Sequence, residues 1–129
     1  MKRITLLAVL AIVLTALVAC GGSSTTSTSA PTNYAVTMSG VTFTTNTISI
    51  TKGSTITFTT TQGGAAHNLV IGSSGHSRPE SGSPDFGVGG HTVGSGQSWS
   101  TPPWATAGTF HVTCTYHPTT MTLTVTVTG

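Results

Sequence analysis

The chain has 129 residues and a formal net charge of +2, with 5% charged and 36% hydrophobic residues. So weak a field excludes charge-driven binding to nucleic acid or anionic lipid as its main activity. With two carboxylates in the whole chain there is no general acid/base pair and no acid for a Ser/His/Asp set, which argues against an enzyme.

Lys2 and Arg3 precede the apolar run ITLLAVLAIVLTALVA, which reads as an export signal rather than a membrane span. The run closes on LVAC, Leu17 to Cys20, which resembles the lipobox of bacterial lipoproteins. Residues 1–19 are then a signal peptide, and cleavage leaves Cys20 as a lipidated N-terminus. Two or more acyl chains, each contributing about 0.8 kcal/mol per buried methylene, suffice to hold a small domain at a bilayer surface. A plain cleaved signal or an uncleaved anchor is the alternative. From residue 20 to residue 33 the chain is small and polar, GGSSTTSTSAPTN after the cysteine, so a flexible tether is expected. The protein should therefore be exported and held at the outer face of the cytoplasmic membrane or in the periplasm.

Residues 34–129 form one small domain's worth of chain. YAVTM, VTFTTNTISI, STITFTTT, HNLVI, QSWS, GTFHVTC and MTLTVTV read as strands, rich in Thr, Val, Ile and aromatics and separated by Gly, Pro, Ser or Asn. No segment has a helical period. An all-β fold of about seven to eight strands follows, a Greek-key β-sandwich in which one face of each strand feeds a shared core. Gly72 to Gly96 is a long Gly/Ser/Pro-rich excursion, of a length that is either functional or mobile. Pro102 and Pro103 bar a regular central strand, so TPPW is an edge or a connection.

Residues two apart in a strand share a face. The inward rows are then His67, Leu69, Ile71; Phe110, Val112, Cys114; and Met121, Leu123, Val125, Val127. Each row begins or ends on a metal-binding side chain. If these ends meet at one pole of the sandwich, His67, Cys114 and Met121 converge, and His117 is supplied by the loop between them. Two imidazoles, a thiolate and a weak axial thioether suit a blue copper site, whereas zinc more often recruits further Cys or His. A single exported thiol is also at risk of oxidation unless it is buried or ligated.

These residues resemble the cupredoxin family, most closely its plastocyanin, amicyanin and pseudoazurin branch. ISITKGSTITFTTT looks like the strand, glycine turn and strand ahead of the first copper histidine, HNLV like the His-Asn motif, and PWATAGTFHVTCTYHPTTMTLTVTV like the C-terminal ligand loop and its strands. The resemblance implies one type 1 copper ion with His67, Cys114, His117 and Met121 as ligands. It also implies that Asn68 hydrogen-bonds near Thr115 to pin the ligand loop. It further implies that His117 shows an imidazole edge in an apolar patch, with Pro118 beside it, where redox proteins dock. Tyr116 stands where the branch usually has Pro, and three residues separate His117 from Met121.

Each of these residues also has a plainer reading. Cys114 as a small buried hydrophobe, His67 as a hydrogen-bonded core histidine and Met121 as simple core would need no metal. His111 is out of phase with the core and expected in solvent, and His76 and His91 are read as polar loop residues. Trp104 is expected in the core, Trp99 in the core or at its rim. Arg78, Glu80 and Asp85 are read as loop solvation with at most one weak ion pair. Taken together, the expectation is a monomeric, lipid-anchored one-electron carrier between redox partners at a membrane surface. A copper carrier or storage protein, or a metal-free surface module, are the alternatives; the first lacks clustered Met, and the second leaves the Cys/His/Met coincidence unexplained.

Overall fold

The computed structural model describes residues 29–129; the expected signal peptide, Cys20 and the tether as far as residue 28 lie outside the described residues. The described chain forms a β-sandwich. One sheet holds β1 (Asn33–Ser39), β2 (Thr42–Phe43), β4 (Thr55–Thr60) and β7 (Ser98–Ser100) in the order β2-β1-β4-β7. The other holds β3 (Thr47–Thr51), β5 (His67–Ile71), β6 (His91–Val93), β8 (Gly108–Cys114) and β9 (Thr122–Thr128) in the order β3-β9-β8-β5-β6. The pairs β1/β4 and β3/β9 are parallel and the others antiparallel.

Period-two alternation builds these strands. In β4, Ile56, Phe58 and Thr60 are buried while Thr55, Thr57 and Thr59 face outward. In β9, Leu123, Val125 and Val127 are buried between half-exposed threonines. Burial of each large apolar side chain stabilises the fold by about 1.5–3 kcal/mol. A chain of aromatic contacts runs from one sheet to the other: within the first, Phe43 packs on Phe58 and Phe58 on Trp99, and the loop residues Phe86, on both Trp99 and Trp104, and Trp104, on Phe110, carry it across. Trp104 is fully buried and donates its indole N–H to Thr101. Trp99 is half-buried at the rim.

The described residues form nine strands, two of them not anticipated as separate elements. The run VTFTTNTISI divides into β2 and β3, which belong to different sheets. Its apolar residues change phase, from Val41 and Phe43 to Ile48 and Ile50, and the chain crosses between sheets over the intervening Thr44–Asn46. The short β6 lies inside the long excursion and pairs with β5, His67 opposite Val93. β1 begins at Asn33, and the residues just before it are already bonded: the Thr32 amide donates to Ser54, and Thr51 donates to the Ala30 carbonyl.

The excursion is packed, not free. It folds back over the outer face of β5 and β8, burying Val70 and Thr113, which point away from the core. Phe86 anchors it as an aromatic peg in the core. His111 also departs from expectation. Its amide donates to one Glu80 carboxylate oxygen at 2.8 Å, and its Nδ1 lies 2.9 Å from the other. β5 ends at Ile71, so the edge of β8 beyond it needs a partner, and the carboxylate supplies one. Glu80 is therefore bonded into the fold rather than merely solvated. His91 in turn stacks on Trp99, with ring centroids 4.0 Å apart.

Candidate metal centre

Two neighbouring strands set the site. In the pairing of β5 with β8, Leu69 lies opposite Cys114, which brings His67 to the same end of the sheet. Both side chains point inward by strand phase and are fully buried. After Cys114 the chain turns tightly. The His117 amide donates to the Cys114 carbonyl at 3.3 Å, and the amides of Thr120 and Met121 donate to the His117 carbonyl at 3.2 and 2.9 Å. The Cys114 amide donates to the Met121 carbonyl at 3.0 Å, so the turn closes with Met121 fully buried beside Cys114.

Within this turn Cys114 Sγ lies 3.8 Å from Nδ1 of His67 and 3.8 Å from Nδ1 of His117. The ligating atoms of the three residues all fall within 4.8 Å of one another. One S–H cannot serve two imidazole nitrogens at once, whereas a thiolate and two neutral rings can share a cation. Bonds of about 2.3 Å to sulfur and about 2.0–2.1 Å to nitrogen, at angles from tetrahedral to trigonal, separate the two atoms by about 3.6–3.8 Å, so the spacing suits one shared ion. A donor set of thiolate and imidazole is one that copper takes. Nε2 of His67 is buried without a hydrogen-bond partner among the described residues, so the ring is oriented by packing and by the contact of its Nδ1 with Cys114 Sγ.

Burial lowers the His67 imidazole below its ordinary 6.5, and the neighbouring His117 lowers it further. The ring therefore stays neutral and keeps a lone pair available. The unfolded chain binds the proton that the folded one resists. Metal-free protein thus has this part of its stability in full above about pH 6.5 and loses it as the pH falls from there through the lowered folded value. Thermal melts of the metal-free protein should show a melting temperature that drops below that pH and is restored above it. A flat profile would mean that His67 becomes charged in place without cost.

Asn68 ties the surroundings together. Its Nδ2 donates to Thr115 Oγ1 at 3.2 Å and to the Gly89 carbonyl at 2.8 Å, and its own carbonyl accepts from the Thr115 amide at 2.9 Å. Thr92 donates to its side-chain oxygen at 3.2 Å. Three segments, β5, the excursion with its strand β6, and the ligand turn, are thereby held around one residue. Pro118 is exposed beside half-buried His117. His76 is exposed in the excursion, and His76, His91 and His111 do not join the cluster. What sequence reasoning missed is the excursion's part in this pole; its only signal is the row of glycines that lets it fold back.

The model of the copper-binding plastocyanin/azurin family matches residues 30–128. Among solved structures, the chain is similar to a reduced proline-to-phenylalanine variant of amicyanin, at 22% identity over 74% of this chain and 82% of that one, with a TM-score of 0.56. It is also similar to amicyanin from Paracoccus versutus, at 20% identity over 74% and 81% of the two chains, with a TM-score of 0.55. A Cu(I) form of a methionine-to-alanine amicyanin variant shares 24% identity over 78% and 86%, with a TM-score of 0.53. No curated protein matches the chain. At these identities the solved structures establish the shared fold alone.

Proposed function

The chain belongs to the plastocyanin/azurin family of copper-binding proteins, and from that premise we propose that it carries single electrons between redox partners while tethered to a membrane by lipid on Cys20. Copper is its cofactor. In this reading His67, Cys114, His117 and Met121 hold one ion, and the supporting observation is the placement of both Nδ1 atoms at 3.8 Å from the Cys114 sulfur. When bound, the copper supplies the one-electron couple between Cu(II) and Cu(I).

The residues contribute rigidity and access. Cys114 and His67 sit on paired strands, and the turn carrying His117 and Met121 is closed by backbone hydrogen bonds, so the fold itself sets the ligand positions. Full burial of His67, Cys114 and Met121 excludes water from that side. His117 is half-buried and provides the way out to a partner.

The docking face is apolar. Val41, Val88 and Tyr116 are the exposed large hydrophobic residues among those described. Each belongs to this pole: the Val41 carbonyl accepts from Thr120 of the ligand turn, Val88 adjoins the Gly89 bonded to Asn68, and Tyr116 precedes His117. Lys52 and Arg78 balance Glu80 and Asp85 in the domain, so docking rests on apolar contact. Val88 is fully exposed, which makes Val88→Glu a clean probe. Placed on both copies, the charge should slow electron self-exchange between reduced and oxidised protein by about tenfold at low salt, with recovery as salt rises. An unchanged rate, read by NMR line broadening, would remove this face from the proposal.

The described chain starts at the opposite pole. Ala30–Thr32 are bonded beside the turn Thr51–Ser54, where β9 ends, whereas the ligand turn lies where β9 begins. A lipid on Cys20 would leave His117 facing the aqueous phase of the periplasm or outer surface, open to partners. Metabolic labelling with a radioactive fatty acid should tag the parent protein and not Cys20→Ala; an unlabelled parent would overturn the anchor.

A further inference from the structure

The first part of the excursion, Gly72–Ser77, forms a closed turn. At its base the Arg78 amide donates to the Ile71 carbonyl at 2.8 Å. The Gly72 amide donates to the His111 carbonyl, and Thr113 Oγ1 donates to the Gly72 carbonyl, so the base is bonded to β8 on both sides. From this base the turn reaches across buried Thr113 to the ligand pole, where Gly75 lies buried against Pro118.

The contact leaves no room for a side chain. A Cβ at Gly75 would fall 2.3 Å from Pro118 Cβ, 3.1 Å from its Cγ and 3.5 Å from its Cα. Gly75 also has a φ of 73°, which L side chains rarely adopt. Pro118 directly follows His117 and is itself held, since its carbonyl accepts from Thr122 Oγ1 at 3.4 Å. Its ring fixes φ, so a push on the ring is passed to His117 rather than absorbed within the residue.

We propose that the Gly72–Ser77 turn is a strut that sets the position of His117, with Gly75 as a positioning residue for the metal centre. The proposal rests on the reading of His117 as a ligand. It accounts for the packing of an excursion that otherwise contributes no chemistry. Carbon atoms rest about 3.5–4.0 Å apart, so a methyl group at Gly75 must drive the strut and Pro118 apart by more than about 1 Å. A functional constellation tolerates displacements of only about 0.5 Å.

The test compares Gly75→Ala with Gly63→Ala. Gly63 has a φ of 77° and no atom within 4 Å of its built Cβ, so it carries the same backbone penalty without the collision. Two readouts are taken: amide hydrogen exchange of Thr120 and Met121 in metal-free protein, and the thiolate absorption band after Cu(II) loading. Gly75→Ala should speed exchange of both amides by about tenfold and shift the band, whereas Gly63→Ala does neither. In a Pro118→Gly background, adding Gly75→Ala should change nothing further. Equal behaviour of the two single variants would overturn the strut. If Gly75→Ala is much less stable than Gly63→Ala, the Pro118→Gly background must abolish that difference; failure to do so also overturns it. Should the parent protein show no thiolate band, the ligand reading fails, yet the exchange comparison in metal-free protein still decides whether the strut positions the turn.

Discussion

Cys114→Ser is expected to erase the intense visible band that Cu(II) produces in the parent protein and to weaken copper binding by about a hundredfold or more. The band requires a thiolate bonded to the metal, and Cys114 is the one cysteine in the described chain, fully buried with two imidazole nitrogens at 3.8 Å. A serine hydroxyl does not ionise at neutral pH and is a hard, weak donor, so two imidazoles and a weak thioether would remain. Changes even to groups that only support a ligand cost about 10–100-fold in metal affinity, and loss of the ligand itself should cost at least as much. The buried hydroxyl would destabilise metal-free protein by about 1–3 kcal/mol if left unpaired, so circular dichroism must first show that the variant is folded. A band that survives the substitution would place the metal elsewhere, and a parent without any band would end the electron-carrier proposal.

The second large effect concerns the fold. Trp104→Ala should cost about 3–5 kcal/mol, as expected for removing a fully buried large aromatic side chain. Trp104 packs on Phe86 from the excursion and on Phe110 from β8, so the cavity would open where excursion and sheet meet. Against a total stability of about 5–15 kcal/mol, that is a large share. At about 4–8 °C per kcal/mol for a domain of this size, the melting temperature should fall by more than about 10 °C. Half-buried Trp99 leaves a smaller cavity on truncation, so Trp99→Ala should cost less. If Trp104→Ala cost under about 1 kcal/mol, the aromatic contacts would not be what joins the excursion to the sandwich.

Much of this was legible because strand residues follow a short, strict rule. Leu123, Val125 and Val127 recur with period two, and that alone states which face of β9 enters the core. The phase change between Phe43 and Ile48 was equally visible in the residues and marks the crossing from β2 to β3; the continuous run of β-branched residues obscured it. Rows ending in Cys114 and His67 could be read off the strands, but not that β5 lies beside β8. That adjacency is a choice among strand orders which local preference does not make.

The excursion's extent was legible from its composition, but where it packs was not. Glu80 meets His111 across 31 residues, and Gly75 meets Pro118 across a longer span still, with no period linking either pair. The phase of His111 points it outward, as expected, but a carboxylate from a distant loop meets it there.

By itself, then, the sequence determined the all-β class, the inward rows of each strand, and a donor set of thiolate, imidazole and thioether whose softness selects the metal. These are properties of local spacing and of side-chain chemistry, which each residue carries wherever the chain goes. Only the tertiary structure decided that the donors meet, that Asn68 joins three segments around them, and that the glycine-rich excursion packs on Pro118 beside His117. Such contacts depend on the single arrangement in which two sheets and a returning loop bury their surfaces together, and no short stretch of chain contains that information.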